Sequence, residues 1–252
     1  MKRFGLTSLI ILLIISVTAL AQDNRPSLVL SGIYVIPTGA FGDDLGDDAH
    51  LTRRAGFNFG KDVGLAINGY GLGVELITPL RLKGISWMIS LRGLVDGMTD
   101  DAADPFFEEL ISDSVSSPPL WFYLGHWINI PLMTGFRYSL PIFGGMQVHA
   151  QVQAGINFSR PGEIKVAAKG AFAEERKFDF ARDFGVEAGV GIDFPYRFTL
   201  GVRYLYMDTP RYTGQLFLSE KFFPNIYEHV TGILGEERSI SMITVQLGYY
   251  LF

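Results

Sequence analysis

Few side chains in this chain are equipped for chemistry, and their types set limits at once. There is no cysteine, which removes disulfides and thiolate chemistry. The four histidines are His50, His126, His149 and His229. A serine hydrolase needs a serine and a histidine within hydrogen-bond reach. His149 has no serine beside it in its own run, and His126 leads into Trp127-Ile128-Asn129, which carries no nucleophile pattern. His50 and His229 fall in polar connecting segments. No catalytic residue, cofactor or metal is therefore expected. The pairs Asp43-Asp44 and Asp47-Asp48 offer the hard oxygens that Ca²⁺ prefers, but their spacing matches no EF-hand loop, and an acidic solvated loop is the plainer expectation.

A larger set remains: Glu75, Arg92, Arg137, His149, Gln151, Glu187, Asp193 and Arg203. Each occupies the polar phase of a run whose alternate residues are apolar. Acids and bases forced into one crowded interior must pair, and the planar fork of arginine suits carboxylates. The chemistry expected of them is a structural polar network.

Strands are the elements that would position such a set. In residues 146–158, Met146, Val148, Ala150, Val152, Ala154, Ile156 and Phe158 alternate with Gln147, His149, Gln151, Gln153, Gly155 and Asn157. Strict alternation of this kind is a strand with two different solvents on its faces. Strands of soluble domains are usually about 5–6 residues long. This run is long enough to cross a bilayer at a tilt.

Seven more runs read as strands, most of them alternating in the same way. The first, 28–37, is apolar on both faces. The second, 66–78, points Tyr70, Leu72, Val74 and Leu76 one way and Gly69, Gly71, Gly73 and Glu75 the other, glycines that make room in a narrow lumen. The third, 85–96, places Ser86, Ser90, Arg92 and Asp96 inward, and the fourth, 127–138, places Asn129, Met133, Gly135 and Arg137 inward around an awkward Pro131. After the run at 146–158 come 184–193, with Gly185, Glu187, Gly189, Gly191 and Asp193 inward, and 198–207, with Thr199, Gly201 and Arg203 inward. The last is 239–252. The connections alternate long, short, long, short, long, short, long, and the segment 104–111 in the second long one resembles a helical turn led by Asp104-Pro105. An even strand number with alternating loop lengths predicts an all-β, eight-stranded antiparallel up-and-down transmembrane β-barrel, with both termini in the periplasm and the long loops outside.

The N-terminus fits export. Lys2 and Arg3 precede an apolar stretch, and Ala19-Leu20-Ala21 resembles a cleavage site, so residues 1–21 are expected to be a signal peptide and 22–252 the barrel domain. Without Lys2 and Arg3, 19 basic residues face 26 acidic ones, a net of −7, which argues against a nucleic-acid partner. Hydrophobic residues make up 48% of the chain, although no later stretch has the length of a membrane helix.

The segments IPTGAFGDD, GYGLGVELITPL and INIPLMTGFRY, with the closing GYYLF, resemble the small outer-membrane β-barrel proteins of the Bacteroidota type, similar in shape to OmpA and OmpX barrels. The resemblance implies insertion by the barrel-assembly machinery into the outer membrane of a Gram-negative bacterium. It also implies contact with outer-membrane lipid and lipopolysaccharide, and an aromatic C-terminal assembly signal at Gly248, Tyr250 and Phe252. Such signals put the terminal Phe on the lipid face. Here Ile243, Val245, Leu247, Tyr249 and Leu251 form the apolar face, so either a bulge shifts the register or the last residues leave the ladder. The expected role is a structural anchor or surface-interaction protein with a packed polar lumen, its loops open to an extracellular partner. The alternatives are a small pore or carrier of apolar solutes like OmpW-type barrels, and a lipid-modifying enzyme.

Overall fold

Each of the eight alternating runs becomes a strand, and the strands close on themselves. The computed structural model describes residues 25–42, 50–52, 56–58, 64–98, 120–168, 172–208, 210–220 and 232–252. In chain order the strands are β1 (Ser27–Pro37), β2 (His50–Thr52), β3 (Gly56–Asn58), β4 (Ala66–Pro79), β5 (Ile85–Met98), β6 (Leu120–Leu124), β7 (Trp127–Pro141) and β8 (Gln147–Arg160). They continue with β9 (Ile164–Ala168), β10 (Phe172–Phe178), β11 (Ala181–Asp193), β12 (Phe198–Met207), β13 (Arg211–Glu220), β14 (Gly232–Glu237) and β15 (Ile240–Tyr250). A closed antiparallel barrel runs β1-β15-β12-β11-β8-β7-β5-β4, an up-and-down order in which the last strand returns to the first. The expected signal peptide, the helical turn at 104–111, the Asp43-Asp44 and Asp47-Asp48 pairs and His229 lie outside the described residues.

The barrel is apolar outside. Tyr70 and Leu72 are 72% and 75% exposed, and Phe136, Val152, Val190 and Leu247 are exposed in the same outward phase. Inward residues on the same strands, such as Glu75, Arg92 and Glu187, are at most 3% exposed. A water-soluble fold buries the first set and solvates the second. β1, whose sides the sequence left open, turns Val29, Ser31, Ile33 and Val35 inward. β15 pairs without a shift from Val29↔Tyr250 to Pro37↔Met242 on one side and from Phe198↔Tyr249 to Met207↔Ile240 on the other. There is no bulge: the strand ends at Tyr250, and Phe252 stands outside it.

At one end of the barrel, the turn end, the connections 80–84, 142–146 and 194–197 are short. At the other end, five strands form a second sheet, β14-β13-β10-β9-β6. The sequence read this part of the chain as loops, and the structure corrects that. β6, β9, β10, β13 and β14 lie next in the chain to β7, β8, β11, β12 and β15, in the same lateral order, so the sheet is a wall rising from five barrel strands. The alternation changes phase at the joints. Phe158 faces out on β8 but Lys165 does so on β9, and Tyr206 is followed across Asp208 and Pro210 by outward Arg211 and inward Tyr212. A phase break between Pro, Gly and Asp residues hides a strand from a period-two reading.

The lumen is layered. Towards the wall, Ile33, Val35, Phe41, Leu65, Leu94, Trp127, Met133, Leu205, Met207 and Met242 form one buried cluster with Ile164, Phe178 and Tyr212 of the wall. Trp127 is its centre, edge-on to Phe41 at 5.1 Å and to Tyr212 at 5.6 Å, with its indole N–H donating to the Gly64 carbonyl at 2.8 Å. An interior polar throughout was expected, but the half nearest the wall is an apolar plug. A smaller group, Val29, Ile77 and Met88 beside Tyr250, lies towards the turn end.

Candidate functional site: the polar layer of the lumen

Between the two apolar groups, strands from opposite sides of the barrel aim charged residues at one another. Arg92 on β5 meets Glu187 on β11 at 2.5 Å (Nη1–Oε2). Arg203 on β12 grips Glu75 on β4 with both ends of its fork, Nη1–Oε1 at 2.5 Å and Nη2–Oε2 at 2.8 Å, and reaches Glu187 at 3.4 Å. Amides add hydrogen bonds to both carboxylates. Gln246 donates to Glu75 at 3.0 Å, Gln153 donates to Glu187 at 3.2 Å, and Ser90 donates to Gln153 at 2.8 Å. With its amide oriented by this network, Gln151 accepts from Arg203 Nε at 2.7 Å. Buried charges are tolerated when paired and hydrogen-bonded. Glu75, Glu187 and Arg203 are both, whereas Arg92 has its ion pair with Glu187 and no hydrogen bond from its guanidinium nitrogens.

Glycines provide the berths. A Cβ on Gly73 would meet Arg92 Cγ at 2.9 Å, one on Gly189 would meet Arg203 Cγ at 2.6 Å, and one on Gly191 would meet the His149 ring at 2.6 Å. Long side chains can lie flat across a neighbouring strand only where that strand has no side chain. The inward glycines of β4 and β11 are thus part of the network.

A second cluster sits nearer the turn end. Arg137 pairs with Asp193, its Nη2 lies 3.0 Å from His149 Nδ1, and its Nε donates to Ser139 Oγ at 3.3 Å. Tyr250 donates its hydroxyl proton to Asp193 at 2.9 Å. All eight residues singled out from the sequence face the lumen, in these two clusters. Sequence reasoning missed Ser139, which is the cross-strand partner of His149 in the β7–β8 ladder. Serine, histidine and aspartate thus converge, but one guanidinium bonds both the serine oxygen and the ring nitrogen. The histidine ring edge faces Gly191. The arrangement holds charge in place and leaves no serine poised on a base.

A third group lies within the plug. Asn129 donates to Asp96 at 3.1 Å, Asn157 donates to Asn129 at 3.1 Å, and Ser159 shares a 2.6 Å hydrogen bond with Tyr212. The alternation placed Asp96, Asn129 and Asn157 inward one strand at a time; their contact depends on register. His126 is exposed at the joint between β6 and β7. Of the C-terminal residues, Gly248 is buried, Tyr250 reaches the lumen and Phe252 is exposed. Among the described residues, no three His, Asp or Glu side chains are grouped to hold a metal ion.

No protein-family model matches the chain, and no curated protein matches it. Three solved structures with which it can be aligned are outer-membrane proteins. Neisserial surface protein A aligns over 89% of this chain and 96% of its own, with 9% identity and a TM-score of 0.40. OprG from Pseudomonas aeruginosa aligns over 90% and 95%, with 12% identity and a TM-score of 0.46. The COG4313 outer membrane channel from Pseudomonas putida F1 aligns over 92% and 98%, with 8% identity and a TM-score of 0.28.

Proposed function

We propose that the chain is an integral outer-membrane barrel of a Gram-negative cell that acts as an anchor, holding the wall and long connections at the cell surface. The carrying observation is the inverted partition of side chains, apolar against the surroundings and charged within, on strands of 10 to 15 residues. Outer-membrane lipid and lipopolysaccharide then surround the barrel, both termini and the short turns face the periplasm, and insertion requires the barrel-assembly machinery. The long connections outside, six acids and no base at 99–119 among them, offer a surface for an extracellular partner.

A closed lumen favours an anchor over a pore. The Arg92–Glu187 and Arg203–Glu75 pairs cross the bore, and the Trp127 plug blocks its outer half. In an eight-stranded barrel, side chains fill such an interior. Purified barrel reconstituted in planar bilayers is expected to add no steady conductance above the lipid background. Discrete, stable channel steps that vanish with heat-unfolded protein would show the lumen to be open. A mature chain that stays soluble and monomeric without detergent would refute membrane insertion itself.

A further inference from the structure

The connection between β4 and β5 at the turn end is Leu80-Arg81-Leu82-Lys83-Gly84. It is firmly built. The Leu80 N–H donates to the Ile85 carbonyl at 2.9 Å, the Ile85 N–H donates to the Leu82 carbonyl at 3.0 Å, and the Ser139 N–H of β7 donates to the Gly84 carbonyl at 2.8 Å. Gly84 has φ +80°, and a Cβ there would also meet the Ser139 carbonyl oxygen at 2.8 Å. The turn is therefore pinned to the end of β7.

Between them lies a groove of about 1020 Å³. Tyr138 and Leu140 give it apolar lining, with Leu82, 63% exposed, and Gln147 of β8 also lining it. Arg81 and Lys83 line the same groove, and both are exposed. Among the described residues neither makes an ion pair, and no Asp or Glu lines the groove. The other two short connections, 142–146 and 194–197, contain no acid either, while exposing Phe143 and Tyr196. The groove and these three connections are apolar and basic, with no acid among their residues, at the level where lipid tails give way to head groups. Aromatic residues and cations partition to that depth, and cations there attract anionic lipid.

We infer that the groove binds an anionic glycerophospholipid of the surrounding leaflet, its phosphate between Arg81 and Lys83 and an acyl chain along Tyr138 and Leu140. Two cations without a carboxylate match a head group of net negative charge. A zwitterionic head group would bring an ammonium that finds no partner here. The site rests on the membrane placement proposed above, and the test separates the two.

Full-length mature barrel is reconstituted in phosphatidylcholine nanodiscs containing a minor fraction of phosphatidylglycerol, and the lipid retained on release is identified by native mass spectrometry. Phosphatidylglycerol is expected to be retained on the order of tenfold over its share of the bilayer. The double variant Arg81→Gln/Lys83→Gln is expected to bring retention down to that share while the barrel keeps its folded mobility in unheated gels. Retention in proportion to the bilayer by the wild type would overturn the site, and so would a preference surviving in the double variant. Displacement of the lipid by inorganic phosphate would show an anion site without acyl-chain recognition and would overturn the lipid assignment. A chain that enters no bilayer would overturn the membrane placement and this site together.

Discussion

Individual residues in the polar layer are held by reciprocity. Glu187 serves two arginines, so removing it strands buried charge. Glu187→Ala is expected to cost about 3–5 kcal/mol, measured by denaturant unfolding in micelles, whereas the paired replacement Arg92→Met/Glu187→Leu should cost much less. Glycines divide by direction. Gly73→Ala must push aside Ser31 and Arg92, at about 1–3 kcal/mol, while outward Gly32 has nothing within 4 Å of an added Cβ, and Gly32→Ala should be neutral or stabilise by about 0.5 kcal/mol. Equal effects in the same unfolding experiment would contradict the berth role of the inward glycines. The inward direction of Glu75, Arg92, Glu187 and Arg203 was legible from alternation, because side-chain phase is a local property of a strand. That Glu75 meets Arg203, or Ser139 faces His149, was not, since such meetings depend on register and stagger around the closed barrel.

At the scale of elements, the wall owes part of its order to a cross-strand row. Tyr123, Lys165, Glu175 and Phe217 stand directly opposite one another on β6, β9, β10 and β13. Lys165 and Lys177 each pair with Glu175, at 3.2 and 3.0 Å, and lie over Tyr123 and Phe217 respectively. Hydrogen bonds to Glu175 hold both ammonium groups above their ordinary value of 10.5. Glu175 itself is held down to about 2 by the hydrogen bond it shares with Glu163 and those from the lysines. The signs set two edges. A depressed carboxylate adds stability above its unfolded pKa and loses it as the pH falls towards about 2. Raised ammonium groups add stability below 10.5 and lose it as the pH climbs beyond their folded values. Amide protection in β9 and β10, followed by hydrogen exchange, is expected to be level between these edges and to fall outside them. The effect is small because the groups are exposed. Glu175→Gln should remove the acid edge and weaken the alkaline one, because Glu163 still pairs with both lysines at 3.4 Å. A profile unchanged by that substitution would show that Glu175 contributes nothing to the row. The wall escaped sequence reading for the reason seen at its joints, where Gly125-His126, Pro161-Gly162 and Asp208 to Pro210 reset the phase. Once reset, β9 and β10 look like charged loops.

At the scale of the whole molecule, strand number, order and antiparallel closure could be read from eight alternating runs and the rhythm of their connections. The plug was less visible. Leu205, Met207 and Met242 share a face with Thr199 and Arg203 or with Thr244 and Gln246, so the inward side changes from polar to apolar partway along each strand. An alternation count averages over that change. Trp127→Ala is expected to cost about 3–5 kcal/mol, through the lost packing and the unsatisfied Gly64 carbonyl. It should leave planar bilayers silent, because the ion pairs beneath still cross the bore. Channel steps in this variant would show that the plug alone seals the barrel.

Pro131 brings a consequence of its own. The β5–β7 ladder passes from Leu91↔Leu132 to Leu94↔Asn129, skipping the rung where proline has no proton to give, and Gly93 beside it has open space where a Cβ would stand. Every other barrel seam is continuous through its middle. Under pulling force or heat, the cylinder should therefore split at this place and not where its two chain ends meet. It would unroll into one open eight-stranded sheet with β5 and β7 at its two edges, β1 and β15 still paired within it.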